Sequence, residues 1–297
     1  MRRLMLALML ASGLNAHAEI VVRDDTGETV RLAAPARRIV SLAPHVTETL
    51  YAAGAGARLV GAVDYSDYPE AAKTLPRVGG YSRLDLEAIA RLAPDLVIGF
   101  ASGNAPAHIA RLRALGIPVY LSQPNRIEDV AHNLEHFGEL AGSAATARAA
   151  AAAFRGRLQA LRDKYAGRPQ VRTFYQMWKQ PLMTVGGEQV ISDAIRLCGG
   201  DNVFGQLKSL APTVTVEAVI AADPEAIVAS GMDASRPEWL DDWRRWKHLA
   251  AVKRDNLFFV PPDLIQRHTP RIIDGTERLC AHLETARGRR PVGAVGK

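Results

Sequence analysis

Cysteine is scarce in this chain, long apolar runs are confined to its first residues, and basic side chains nowhere gather around aromatics. Cys198 and Cys280 are the only cysteines of 297 residues. Position 19 is Glu19, so the cysteine that a lipid anchor needs directly after a cleaved leader is missing. Beyond the leader no stretch approaches the roughly 20 apolar residues of a membrane helix, which predicts a soluble mature protein. The formal net charge is +6, or +4 without Arg2 and Arg3, and the Lys and Arg are spread among acids. That excludes a nucleic-acid groove and reads as charge for solubility. Arg287-Gly288-Arg289-Arg290 is a local basic cluster near an end expected to fray. Enzyme signatures are missing as well: no G-x-S-x-G, no Walker loop and no G-x-G-x-x-G after a strand. Gly54-Ala55-Gly56 and Gly186-Gly187 read as turn glycines.

What is present begins with a leader. Arg2 and Arg3 precede the apolar run Leu4 to Leu14, and Ala16-His17-Ala18 is a small-x-small cleavage site. This predicts a signal peptide over residues 1–18, cut after Ala18, and an exported protein that is not lipid-anchored. The periplasm-like space it would enter is oxidising. There Cys198 and Cys280 read as a disulfide rather than as two buried thiols.

The rest alternates short apolar runs with amphipathic stretches. Ile39-Val40-Ser41-Leu42, Leu59 to Val63, Leu96 to Phe100 and Ile117 to Leu121 read as strands. Thr47 to Ala53, Leu86 to Leu92 and Ala107 to Leu115 read as helices, with Thr47 as a capping candidate and Gly54 and Gly116 as stops. Such alternation predicts an α/β fold of mainly parallel sheets covered by helices. The pattern then repeats. Leu86-Glu87 through Pro94-Asp95 to Ile98 is answered by Val216-Glu217 through Pro224-Glu225 to Val228, at a constant offset of 130 residues. Two lobes of similar build explain the repeat. Ser143 to Ala166 lies between them, with eight alanines in Ala144 to Ala153 and no proline. It reads as one long helix. The expected organisation is therefore an N-terminal lobe over 19–142, a rigid connecting helix over 143–166, and a C-terminal lobe over 167–297. A single helical connector favours small lobe motions.

Four segments carry a family resemblance: Ser41-Leu42-Ala43-Pro44-His45-Val46-Thr47-Glu48, Tyr65-Ser66-Asp67-Tyr68-Pro69, Ala93 to Ile98, and Cys198-Gly199-Gly200-Asp201-Asn202-Val203-Phe204. The chain resembles the helical-backbone metal-receptor binding proteins of ABC importers over roughly Arg38 to Leu283. Within them it is most similar to the periplasmic cobalamin-binding branch. The resemblance implies two Rossmann-like lobes joined by one rigid helix, a corrin in the cleft, no catalysis and no cofactor beyond the transported ligand. It implies ligand contacts at Tyr65 and in the loop Asp263-Leu264-Ile265-Gln266-Arg267. Tyr81, Ala211 and Leu264 stand where the branch has tryptophans, and Trp178 and Met177 are candidates to restore that wall. Glu87 and Glu217 match glutamates that meet arginines on the two halves of a dimeric permease served by ATPase subunits. Haem or ferric-siderophore binding is the alternative within the same superfamily.

Tyr65 and Tyr81 follow strands and sit in loops, where they could stack on a macrocycle, ligate ferric haem as a phenolate, or simply pack. His45 ends the first strand, and either faces ligand or is exposed in the loop. His268 sits beside the ligand loop and could hydrogen-bond a side amide or ligate a metal. His132-Asn133-Leu134-Glu135-His136 formally matches the H-x-x-E-H zinc-hydrolase pattern, the reading from another class. The same segment fits an amphipathic helix with Val130, Leu134 and Phe137 inward and a solvated polar face. Trp239, Trp243 and Trp246 recur at helical spacing and read as packing.

Overall fold

The computed structural model describes residues 19–80, 83–231 and 234–291. The leader and Tyr81 lie outside these residues.

A hairpin of β1 (Ile20–Arg23) and β2 (Thr29–Leu32) precedes the first lobe. Strand β3 (Ile39–Ser41) is buried at every position, the mark of a parallel strand covered on both faces. It leads into helix α1 (Pro44–Ala52), and β4 (Leu59–Ala62) follows. A two-residue ladder, β5 (Gly79–Gly80) with β6 (Arg83–Leu84), turns the chain into α2 (Leu86–Arg91). Then come β7 (Leu96–Phe100), α3 (Pro106–Ala114), β8 (Val119–Ser122) and α4 (Asp129–Ala141). The sheet is parallel in the order β4-β3-β7-β8.

Helix α1 starts four residues earlier than a Thr47 cap would place it. Pro44 occupies its first turn, where the missing N–H costs nothing, and Ala43 is the cap residue without a side-chain bond. Thr47 is instead buried inside the helix, and its hydroxyl bonds to those of Ser41 at 2.8 Å and Ser66 at 3.0 Å.

Gly142, at φ +72°, closes α4 in a left-handed turn and the chain enters α5 (Ala144–Tyr165). At 1.5 Å per residue this 22-residue helix is about 33 Å long. Ala147, Ala151, Phe154, Leu158, Leu161 and Tyr165 form its buried stripe at alternating spacings of four and three. Gly138 of α4 lets α5 approach closely: a Cβ there would stand 2.1 Å from that of Ala147.

The second lobe repeats the plan with β9 (Val171–Gln176), α6 (Val190–Leu197), β10 (Gly200–Asn202), α7 (Val216–Ala222), β11 (Ala226–Ala229), α8 (Ala250–Lys253) and β12 (Leu257–Phe259). Its sheet is parallel in the order β10-β9-β11-β12. Helices α9 (Pro262–Ile265) and α10 (Ile272–Gly288) complete it. The repeat extends to capping: Asp85 caps α2 through Ala88 N at 2.8 Å, and Thr215 caps α7 through Ala218 N at 3.1 Å. The acid after each proline also does one job twice. Asp95 accepts the N–H groups of Arg37 and Arg38, and Glu225 accepts that of Arg172.

Cys198 at the end of α6 is bonded to Cys280 of α10, closing a separation of 82 residues. The basic end does not fray. Arg287 donates to the carbonyls of Pro169, Cys198 and Gly199, and Arg290 pairs with Glu225 at 2.8 Å, because α10 lies along the end of the sheet. Trp243 is buried, donates to Gln176 Oε1 at 2.7 Å and packs edge-on against Phe174. Among the described residues no helix is long and apolar enough to cross a membrane.

Candidate ligand-binding cleft

In parallel sheets, ligands gather where strands end, since loops there converge and helix N-termini point at the opening. Here the carboxyl ends of the two sheets lead into one cleft. A cavity of about 290 Å³ lies in it, with Phe100, Ser102 and Gln123 from the first lobe facing Met177, Gln266 and His268 from the second. Other hollows of similar size, at Glu28–Arg31 and beside Trp239 and Trp246, belong to one lobe each.

Tyr65 follows β4 and leaves 73% of its surface in solvent. Its φ of +62° is in the left-handed region, which a bulky residue rarely adopts. Ser66, next to it, is fully buried and fixed through Thr47, so the turn that presents Tyr65 is anchored to β3 and α1. Tyr68, three residues on, stacks on the guanidinium of Arg271 from the other lobe, 3.8 Å from its ring centroid.

Arg271 also forks onto Glu48 of α1, with both N–O distances 2.6 Å. Glu48 is only 3% exposed, and a buried carboxylate needs such a bidentate partner. Arg267 reaches Asp67 of the first lobe at 2.6 Å and Asp263 at 3.1 Å. These pairs pin one wall of the cleft across the lobes. Glu48 lies within one of the segments that carry the resemblance, but no local pattern gives it a role or marks Arg271 as its partner. The one acid of a largely buried helix was the available signal, but its partner lies 223 residues away.

The segment after β12 is helical rather than a loop, because Pro262 starts a turn that Gln266 N closes onto the Pro262 carbonyl at 2.8 Å. That turn separates its residues. Gln266 faces the cavity, Asp263 and Arg267 form the rim pair, and Leu264 is half-buried with its carbonyl packed against Gly275. Ile265 is fully buried in the core, which removes it from the wall. Met177 lines the cavity, whereas Trp178 does not: its indole N–H bonds to the Gln180 carbonyl at 3.0 Å. Ala211 also borders the cavity.

His45 and His268 meet on the floor of the cleft, with ring centroids 5.6 Å apart. Burial pushes the His268 imidazole down to about 4. Burial, and then the neighbouring His268, hold His45 well below the usual histidine range. Both rings are therefore neutral near pH 7.

The H-x-x-E-H segment lies on α4, and only His132 has the exposure of a solvated face. Glu135 is held by a forked Arg155 at 2.6 and 2.8 Å, and His136 Nδ1 sits 2.9 Å from the buried Tyr120 hydroxyl. These bonds fasten α4 to α5 and β8, and leave Glu135 and His136 engaged in structure. Among the described residues there is no cluster of three or more metal-ligating side chains.

Residues 39–264 match the family model described as periplasmic binding protein. A vitamin B12-binding protein of Vibrio cholerae serotype O1 is 38% identical over 253 residues, covering 85% of this chain and 91% of that protein. The crystal structure of the periplasmic vitamin B12 binding protein of Vibrio cholerae aligns with a TM-score of 0.79 at 37% identity, covering 85% of this chain and 98% of that one. A periplasmic heme-binding protein from Roseiflexus sp. RS-1 shares the fold, with a TM-score of 0.72 at 24% identity, covering 84% and 99%.

Proposed function

The chain belongs to the periplasmic binding protein family, and from that premise we propose that it captures cobalamin or a related corrinoid between its lobes and delivers it to the permease of an ABC importer. The observation that carries the reading is the cleft itself, with Tyr65 presented in a left-handed turn at its rim, in a chain that is 38% identical to a vitamin B12-binding protein. A flat macrocycle suits such a wall, since an exposed ring offers a stacking face at little entropic cost. Gln266 and Arg267 supply donors for the amide fringe of a corrin, with Asp263 and Leu264 beside them on the rim. Residues 1–18 are read as the export signal, and Glu87 and Glu217 as docking acids.

Calorimetry of the mature chain with cobalamin, haem and a ferric siderophore tests this reading. Cobalamin is expected to bind at least a hundred-fold more tightly than the other two. Tight haem binding with a Soret band, and none of cobalamin, would replace the reading with that of a haem receptor.

A further inference from the structure

The cavity between the lobes has no charged wall. None of the residues that line it is a Lys, Arg, Asp or Glu, and its one histidine, His268, is neutral. Carboxamides take that place: Gln123 and Asn125 from the first lobe, Gln189 and Gln266 from the second. Three of them are oriented by their bonds. Gln123 Oε1 accepts the backbone N–H of Ser102 at 2.9 Å, so its other end is the amine. That amine donates to Asn125 Oδ1 at 3.0 Å, which leaves Nδ2 as the free end of Asn125. Gln189 Oε1 accepts the backbone N–H of Ile191 at the start of α6. A backbone N–H can only donate, so an amide oxygen must face it. Gln189 is only 8% exposed and lines the cavity, and its Nε2 is left open with no partner among the described residues. All three amides thus commit their oxygens to the protein and keep N–H donors for a ligand.

Spare donors in an uncharged cavity call for neutral acceptors. A carboxylate would also accept, but burying it without a cation is costly. The rim arginines do not supply that cation: Arg267 holds Asp67 and Asp263, and Arg271 holds Glu48. The helix starts do not either, since Asp129 and Asp193 already stand in the first turns of α4 and α6. At about 290 Å³ the cavity admits side arms of a macrocycle rather than the whole ring. We infer that Gln123, Asn125 and Gln189 determine specificity by selecting a cargo with uncharged carboxamide arms, their amines donating to the arm carbonyl oxygens, and that the cavity rejects macrocycles with carboxylate arms. The inference rests on the corrinoid reading above and narrows it. A corrinoid is fringed by acetamide and propionamide arms, whereas haem carries carboxylates. The amides read the fringe and leave the ring face to Tyr65.

The test compares cyanocobalamin, by calorimetry at pH 7.5, with its three monocarboxylic acids, each with one propionamide arm hydrolysed, and with their methyl esters. At least one acid is expected to bind roughly a hundred-fold more weakly. Its ester, which restores a neutral carbonyl acceptor, is expected to recover most of the loss. Asn125→Asp and Gln189→Glu keep the volume and the oxygen that the protein holds, and replace the amine by a charged acceptor. Each should lower cyanocobalamin affinity on the order of ten-fold or more. Should one variant fail to fold, the other and the ligand series decide. Three acids bound as tightly as cyanocobalamin, an ester as weak as its acid, or unchanged cyanocobalamin affinity in the folded variants overturns the selection of amides while leaving corrinoid binding standing. No binding of cyanocobalamin to the parent protein removes both.

Discussion

Tyr65 combines two properties that stability alone would not select: a left-handed backbone and a ring mostly in solvent. Strain of that kind collects at functional sites. Tyr65→Gly should therefore leave the melting temperature of the ligand-free protein unchanged or raised, since glycine accepts this backbone freely. Calorimetry should show cobalamin affinity lowered on the order of ten-fold or more, as for a buried interface aromatic. Unchanged affinity in a folded Tyr65→Gly would move the site elsewhere. His282 is a second case decided by its surroundings. It stacks on Phe258, its Nε2 lies 3.0 Å from the Phe259 carbonyl, and burial lowers its proton affinity. The unfolded chain takes up a proton near pH 6.5 while the folded one does not. Stability is therefore lost as pH falls below that value, by at most about 1.4 kcal/mol per pH unit and less for a partly exposed ring. Urea melts at pH 7 and 5.5 should differ less in His282→Gln than in the parent.

At the scale of elements, the seam between α4 and α5 sets the frame. The stripe from Ala147 to Tyr165 was readable from the alanine-rich pattern, because helical periodicity is a local property. What the stripe packs against was not readable, since Gly138 looks like an ordinary helix glycine until Ala147 is placed over it. Gly138→Val should force the two helices apart and cost about 2–3 kcal/mol, read as a lower urea midpoint with an unchanged slope. The ligand segment shows the same limit from the other side. Asp263 to Arg267 was identifiable as a block, but its helical turn sends Ile265 into the core and Gln266 into the cleft. Periodicity places residues on faces, and only the neighbouring elements decide which face meets ligand.

For the whole molecule, the repeat has a consequence in charge. Glu87 and Glu217 stand exposed in the first turns of α2 and α7, each helix feeding the central part of its own sheet. Both helix starts therefore lie on the cleft side, one acid per lobe. The helix dipole alone favours an acid there by roughly 0.3–1 kcal/mol. Two equivalent acids on one rim also suit a symmetric pair of cationic sites on a dimeric permease, where exposed pairs act mainly through register and encounter rate. Charge reversal at both, Glu87→Arg with Glu217→Arg, should leave cobalamin affinity unchanged by calorimetry and weaken capture of the permease in detergent. Intact capture would return both glutamates to a purely local role.

The sequence by itself determined the alternation of strands and helices, the two-lobe repeat, the long connecting helix and the motifs that carry the family resemblance. The alternation and the long helix follow from local periodicity and composition, the repeat from two matching segments 130 residues apart, and the resemblance from short contiguous motifs. The tertiary structure alone decided which side chains meet across the cleft. Glu48 finds Arg271 over 223 positions, Asp67 finds Arg267 over 200, and His45 faces His268. Each pair joins residues from different lobes, so no local pattern encodes it. The physical reason is that a charge or an imidazole is placed by what surrounds it, and those surroundings exist only once α5 has fixed one lobe against the other.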